Sequence, residues 1–150
     1  RVRLVAEKEA VEIMEARAML ESLVARHAAI KLTQQDLRNL HAILRELKRL
    51  IAEGDMVGYS EANMRLHTAI VDIADHATAA RLLLGLRAQT VVFQYRHTLQ
   101  PGRVAILMHE HEELVRALAS RDPGAAEKAM RSHLDNTAAA LKARLQRSSR

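Results

Sequence analysis

Four side chains in this chain could share one metal ion: Asn63, His67, His111 and His133. Asn63 and His67 are four residues apart, one helical turn, so they project from the same face of a helix. On a later helix, Leu107, His111, Leu114 and Leu118 share a face, which turns His111 inward and His109 outward with Arg116. His133 lies three residues after Met130 and four before Thr137, at the edge of the last apolar stripe. Imidazole is the commonest protein ligand for zinc and related first-row metals. Three imidazoles with one amide oxygen would leave coordination positions open to water or a small anion. A lone buried histidine is usually hydrogen-bonded core. Spacing therefore leaves open both a metal centre and a polar core, until the topology brings the helices together. His27, His41, His76 and His97 lack comparable support and read as surface or incidental positions.

The elements that must position these residues are helices. Isoleucine, leucine, valine and alanine at 13, 20, 24 and 28 mark a first helix from about Ala6 to Ile30. Thr33-Gln-Gln-Asp36 has the form of a capping box with Asp in place of Glu. It opens a second helix whose apolar face runs through Leu37, Leu40, Leu44, Leu47 and Ile51 before Glu53-Gly54-Asp55 ends it. Asp55 caps a third helix to about Ala74, with Tyr59, Asn63, His67 and Ile70 along one stripe. A fourth, about Ala77 to Leu99, is stopped by Gln100-Pro101-Gly102, and a fifth covers about Val104 to Ser120. Asp122-Pro123 supplies an N-cap and a first-turn proline for a sixth helix toward Leu145, and Arg144 to Arg150 reads as a frayed tail. The short connections predict an all-α antiparallel bundle of six or seven helices.

Composition agrees. Half the chain is hydrophobic (49%), only five Gly and two Pro occur, and 150 residues suit one domain with a real core. No cysteine is present, which removes disulfides, thiolate sites and cysteine nucleophiles. No apolar run is long enough to span a bilayer, so a soluble, cytoplasmic protein without membrane contact is expected. The charge of +5 is spread among acids with almost no aromatics, which disfavours direct nucleic-acid binding by this segment. The chain starts at Arg1 instead of Met, as a fragment or processed chain would, and Arg1 to Glu9 is charged and only weakly periodic.

Arg17 interrupts the apolar stripe between Ile13 and Leu20, and a guanidinium there needs an anion. Glu21, one turn on, or another protein acid would serve, and the carboxylate of a bound small molecule is an equally good partner. On the fourth helix Leu82, Leu86, Gln89, Phe93 and Arg96 are read as one face, which makes Gln89 and Arg96 candidate cavity residues. Asn136, one turn after His133, is another. In this phasing no carboxylate lies on the inward faces beside the four candidate ligands.

In order and spacing, these segments resemble the FadR-type C-terminal ligand-binding domain of GntR-family transcription regulators, the FCD domain. Glu15-Ala-Arg17-Ala-Met-Leu20-Glu21 is similar to the family's E-x-R-x-x-L-E. Asn63-Met-Arg-Leu66-His67 stands for D-x-x-F-H, and His111-Glu-Glu-Leu114-Val-Arg-Ala117-Leu118 for H-x-x-(I/L)-x-x-A-(I/L). The turn at Arg121-Asp122 then precedes the helix of His133. The resemblance covers essentially residues 1–150. It implies a divalent metal held by Asn63, His67, His111 and His133, with zinc first and nickel or manganese open, and a small carboxylate effector completing the coordination. It also implies a homodimer that meets operator DNA through a separate N-terminal winged helix-turn-helix domain, for which this chain has no room. Asn63 departs from the family's Asp: an amide ligates without negative charge, so the site keeps about one more positive unit and should hold metal less tightly. Leu66 for Phe alters packing more than chemistry. The rival classes are a small all-α metal-dependent enzyme, which needs a general base near the ion, and a metal-free helical interaction module.

Overall fold

The computed structural model of the protein describes residues 6–148, which form six helices and no strand: α1 (Glu7–Lys31), α2 (Gln34–Glu53), α3 (Met56–Ala74), α4 (Ala77–Thr98), α5 (Arg103–Ala119) and α6 (Pro123–Ser148). Residues 1–5, part of the weakly periodic opening, lie outside the described residues, as does the His97 side chain. No helix among the described residues is long and apolar enough to cross a membrane.

The helix boundaries follow local chemistry. At α2 the Thr33 hydroxyl accepts from the Asp36 amide at 3.1 Å and the Asp36 carboxylate accepts from the Thr33 amide at 2.9 Å, so two amides at the helix start are satisfied reciprocally. Gly54 ends α2 at φ 71°, a left-handed conformation that costs glycine nothing. Asp55 then caps α3 by accepting from the Gly58 amide at 2.8 Å. A Cβ on Gly58 would fall 2.5 Å from that carboxylate and 2.8 Å from Leu50, so a larger residue there must displace the capping side chain and Leu50. Asp122 accepts from the amides of Gly124 and Ala125 and starts α6, with Pro123 at its first position.

α1 is the central element and packs against α6, α3 and α4. Arg26 of α1 pairs with Glu127 near the start of α6, and Val11 near the start of α1 lies beside Leu145 near the end of α6, so these two helices run antiparallel. The contacts Arg17–Thr90 and Glu21–Arg87 set α4 antiparallel to α1. Glu21–His67 and Lys31–Ala74 set α3 parallel to it. Pairing of Arg103 with Thr137 and of Glu110 with His133 makes α5 and α6 antiparallel. One continuous core of small and aliphatic side chains, Ala18, Ala25, Leu40, Leu66, Leu114 and Leu134 among them, fills the interior.

Two expectations are corrected. The segment expected to fray from Arg144 is helical to Ser148, because Leu145 extends the apolar stripe of α6 onto the core. The phase of α4 is also different: its inward line runs Ala79, Leu83, Arg87, Thr90, Gln94 and Thr98, while Leu82, Gln89 and Arg96 are exposed. Apolar residues lie on nearly every side of α4, so hydrophobic periodicity does not fix its rotation.

Candidate metal centre

Three helices bring the histidines together. The ligating atoms of His67 (α3), His111 (α5) and His133 (α6) lie within 4.8 Å of one another, and all three rings are buried. The Nε2 atoms of His67 and His133 are 3.4 Å apart. Two ligands about 2.0–2.1 Å from a tetrahedral ion stand about 3.3–3.4 Å from each other, so this separation fits a shared ion.

The protonation pattern is set from behind each ring. His67 Nδ1 donates to Glu21 Oε1 at 2.9 Å, and His133 Nδ1 donates to Glu110 Oε1 at 3.2 Å. A carboxylate only accepts, so each ring turns an Nδ1–H to its acid, and the neutral form of such a ring points its Nε2 lone pair inward. Two lone pairs then face each other across 3.4 Å, an arrangement that repels unless a cation or proton lies between them. Among the described residues His111 has no hydrogen-bond partner on either nitrogen, and the buried Asn63 Oδ1 also lacks one. Buried polar atoms are rarely left so. The three converging imidazoles, one of them without a partner among the described residues, fit a divalent transition metal, and the Asn63 side chain stands beside His67.

Burial favours the neutral form of His67 and of His111. Burial lowers the His67 pKa to about 4, although Glu21 pulls the other way. Burial also holds His111 well below the ordinary histidine range, with the neighbouring His133, His67 and Arg103 adding to it. Burial alone would raise Glu21, but Arg17, His67 and Arg87 together keep it well below the usual carboxylate value. Glu110 is likewise lowered: burial opposes ionisation, and the hydrogen bonds from His133 and Asn136 outweigh it.

Around the histidines is a polar shell that sequence reasoning located only in part. Arg17 is buried and paired with Glu21 at 2.9 Å, the salt-bridge partner offered by its spacing, and it also reaches Thr90 at 3.4 Å. Arg87 of α4 pairs with the other oxygen of Glu21. Glu21 and Glu110 overturn the expectation that no carboxylate would lie beside the ligands. Arg103 lies 3.6 Å from Glu110 and donates to Thr137 at 3.2 Å. Three guanidiniums, of Arg17, Arg87 and Arg103, thus face two carboxylates, leaving one unit of positive charge around the rings before any ion is counted.

A small cavity opens beside His67 and Asn63, lined also by Arg17, Ser60, Arg87, Gln94 and Thr98. Gln89 and Arg96, expected there, are not brought to it: Gln89 is exposed and donates to the carbonyl of Gly85, and Arg96 is exposed. Arg87 and Gln94 occupy the positions foreseen for them, a consequence of the rotated phase of α4. Asn136 lies on the opposite side, in an outer groove between α5 and α6 with His109, Arg116 and Lys128, and donates to Glu110 at 3.1 Å. The other histidines with described side chains stay apart from the centre. His41 and His109 are exposed, and the half-buried His76 accepts from the Ala79 amide, capping α4, with its ring edge-on to His27.

Residues 12–136 match the model of the FCD domain. The Uxu operon regulator of Haemophilus influenzae is 29% identical over 130 residues, covering 83% of this chain and 48% of that protein. The HTH-type transcriptional regulator LutR of Bacillus subtilis is 28% identical over 138 residues, covering 89% of this chain and 62% of that protein. Thus the chain spans about half the length of the curated relatives it matches. Among solved structures, McbR/YncC of E. coli superposes with a TM-score of 0.85 at 21% identity, over 95% of this chain and 72% of that one, a likeness of fold. These relatives are regulators and not enzymes.

Proposed function

This chain belongs to the FCD domain family, and on that premise we propose that it is the effector-sensing domain of a bacterial GntR-type transcription regulator. In this reading Asn63, His67, His111 and His133 hold a divalent transition metal, zinc first by donor type with nickel and manganese compatible, and a small carboxylate is the effector. The observation that carries the reading is the convergence of three buried histidines whose ligating atoms lie within 4.8 Å, with His111 and the Asn63 oxygen lacking a hydrogen-bond partner among the described residues.

When bound, such an ion supplies positive charge and an open coordination position to an anion. The chain's own residues do the rest. Arg17 and Arg87 carry uncompensated positive charge to the cavity wall, which favours an anion there, and Ser60, Gln94 and Thr98 offer hydroxyl and amide groups for its remaining polar atoms. Asn63 brings no charge of its own, so the anion's charge is the natural complement of the site. DNA reading belongs to a separate N-terminal domain, and the regulator acts as a cytoplasmic homodimer. The effector can bias that dimer between arrangements only through unequal affinity for them.

Elemental analysis of the purified chain beside a His67→Ala, His111→Ala double variant tests this. About one transition metal per chain, lost in the variant, is the expected result. No metal in either, even after loading with zinc, nickel or manganese, sinks the reading.

A further inference from the structure

We infer that Glu21 and Glu110 are positioning residues of this centre: each accepts the Nδ1 proton of one histidine, holds that ring in the tautomer whose Nε2 faces inward, and lends the neutral donor set negative character. The inference rests on the metal reading above and goes beyond it, since neither carboxylate is a ligand in that reading.

The geometry treats the two rings alike from opposite sides of the bundle. Glu21 reaches His67 from α1 at 2.9 Å and Glu110 reaches His133 from α5 at 3.2 Å. The two Nε2 atoms are in consequence the pair that face each other at 3.4 Å. Each carboxylate is itself fixed. Glu21 is held by Arg17 and Arg87, and Glu110 by Asn136 at 3.1 Å with Arg103 at 3.6 Å. A hydrogen bond from the outer nitrogen to a fixed carboxylate orients a ligating imidazole and raises its basicity, and removing such partners typically lowers metal affinity 10–100-fold. The contribution matters more in this chain because Asn63 is neutral. Among the described residues His111 has no carboxylate behind it and no hydrogen-bond partner on either nitrogen, so packing orients it.

Glu110 is the better handle, because removing Glu21 strands Arg17 and Arg87 in the interior and the variant could fail to fold. The test compares the native chain with Glu110→Gln and Glu110→Ala in two measurements. Zinc affinity is measured by competition with a chromophoric chelator, and the His67 and His133 tautomers are read from imidazole nitrogen chemical shifts of the metal-free protein. Expected are a 10–100-fold weaker zinc affinity in both variants, and in Glu110→Ala loss of the Nδ1–H form of His133 with that of His67 retained. A purely structural role would lower thermal stability and leave the tautomer unchanged. Zinc binding by the native chain with unchanged affinity and tautomer in both variants overturns this inference and leaves the metal reading standing. No zinc binding by the native chain overturns both.

Discussion

Glu21 joins His67 to Arg17 and Arg87: one carboxylate oxygen accepts from the histidine and from Arg87, and the other from Arg17 at 2.9 Å. Three cationic or proton-donating groups from three helices thus meet on one buried acid. The arginines on the cavity wall and a ring of the histidine cluster therefore form one hydrogen-bonded unit, and a disturbance of either is felt by the other.

Arg17 should be costly to remove, because its loss leaves a buried carboxylate with fewer partners. Breaking a buried pair typically costs about 3–5 kcal/mol. Since Glu21 keeps Arg87 and His67, the lower end, about 3 kcal/mol, is expected for Arg17→Met. Urea unfolding monitored by helical circular dichroism measures it, and a loss below about 1 kcal/mol would mean that the pair is solvated in solution.

Metal should stabilise the fold. With free zinc at about a hundred times its dissociation constant, binding to the native state adds about 2.7 kcal/mol. For a domain of this size that is roughly 5–10 °C in melting temperature. His111→Ala should abolish the increase. An equal increase in that variant would place the zinc elsewhere.

The metal-free protein should weaken in mild acid. Burial holds the His67 pKa at about 4 against 6.5 for an ordinary histidine. Between those values the unfolded chain binds a proton that the folded chain refuses, so stability is full above pH 6.5 and falls as pH falls toward 4. His67 alone accounts for about 2 kcal/mol by pH 5, and His111, lowered in the same direction by burial, adds to the loss. Urea midpoints at pH 7.5 and pH 5 measure the effect. Equal midpoints would show that the rings are already protonated or solvent-exposed when folded.

Effector recognition should depend on Arg87 and not on the two residues that the sequence phasing nominated. Thermal stabilisation by a panel of small carboxylates, with zinc present, is expected to drop at least tenfold in apparent affinity in Arg87→Met. Gln89→Ala and Arg96→Ala should leave it unchanged. A loss confined to the latter two would return the cavity to the other face of α4.

Replacing Asn63 with Asp should tighten zinc binding, because a carboxylate adds the charge that the amide lacks. Chelator competition is the measurement. Weaker binding in Asn63→Asp would show that the Asn63 oxygen is not a ligand.

What could be read from the sequence depended on how sharply each helix is patterned. α2 has a capping box, a glycine stop and an unbroken leucine stripe, and its limits fell where expected. The inward turn of His111 was legible because α5 places Leu107, Leu114 and Leu118 on the same face. α4 gave no such purchase. Leucines at 82, 83, 84 and 86 surround its axis, and its inward side is polar at Arg87, Thr90, Gln94 and Thr98 because it faces the site. A rule that turns apolar residues inward must fail at a polar cavity. The carboxylates were missed for a related reason. Glu21 was visible as a partner for Arg17, but its reach to His67, 46 residues away, needed the parallel placement of α1 and α3. Glu110 adjoins His111 in sequence yet serves His133 on another helix.

The course of α1 has a mechanical meaning. It is one uninterrupted helix from Glu7 to Lys31, with Arg17 and Glu21 near its middle. At 1.5 Å per residue, Glu7 stands about 21 Å along the axis from Glu21. A tilt of about 5° pivoting at the site would therefore carry the beginning of the helix by about 2 Å. α1 would thus act as a lever whose fulcrum is the buried acid, and a sub-ångström shift at the site is magnified at the Glu7 end.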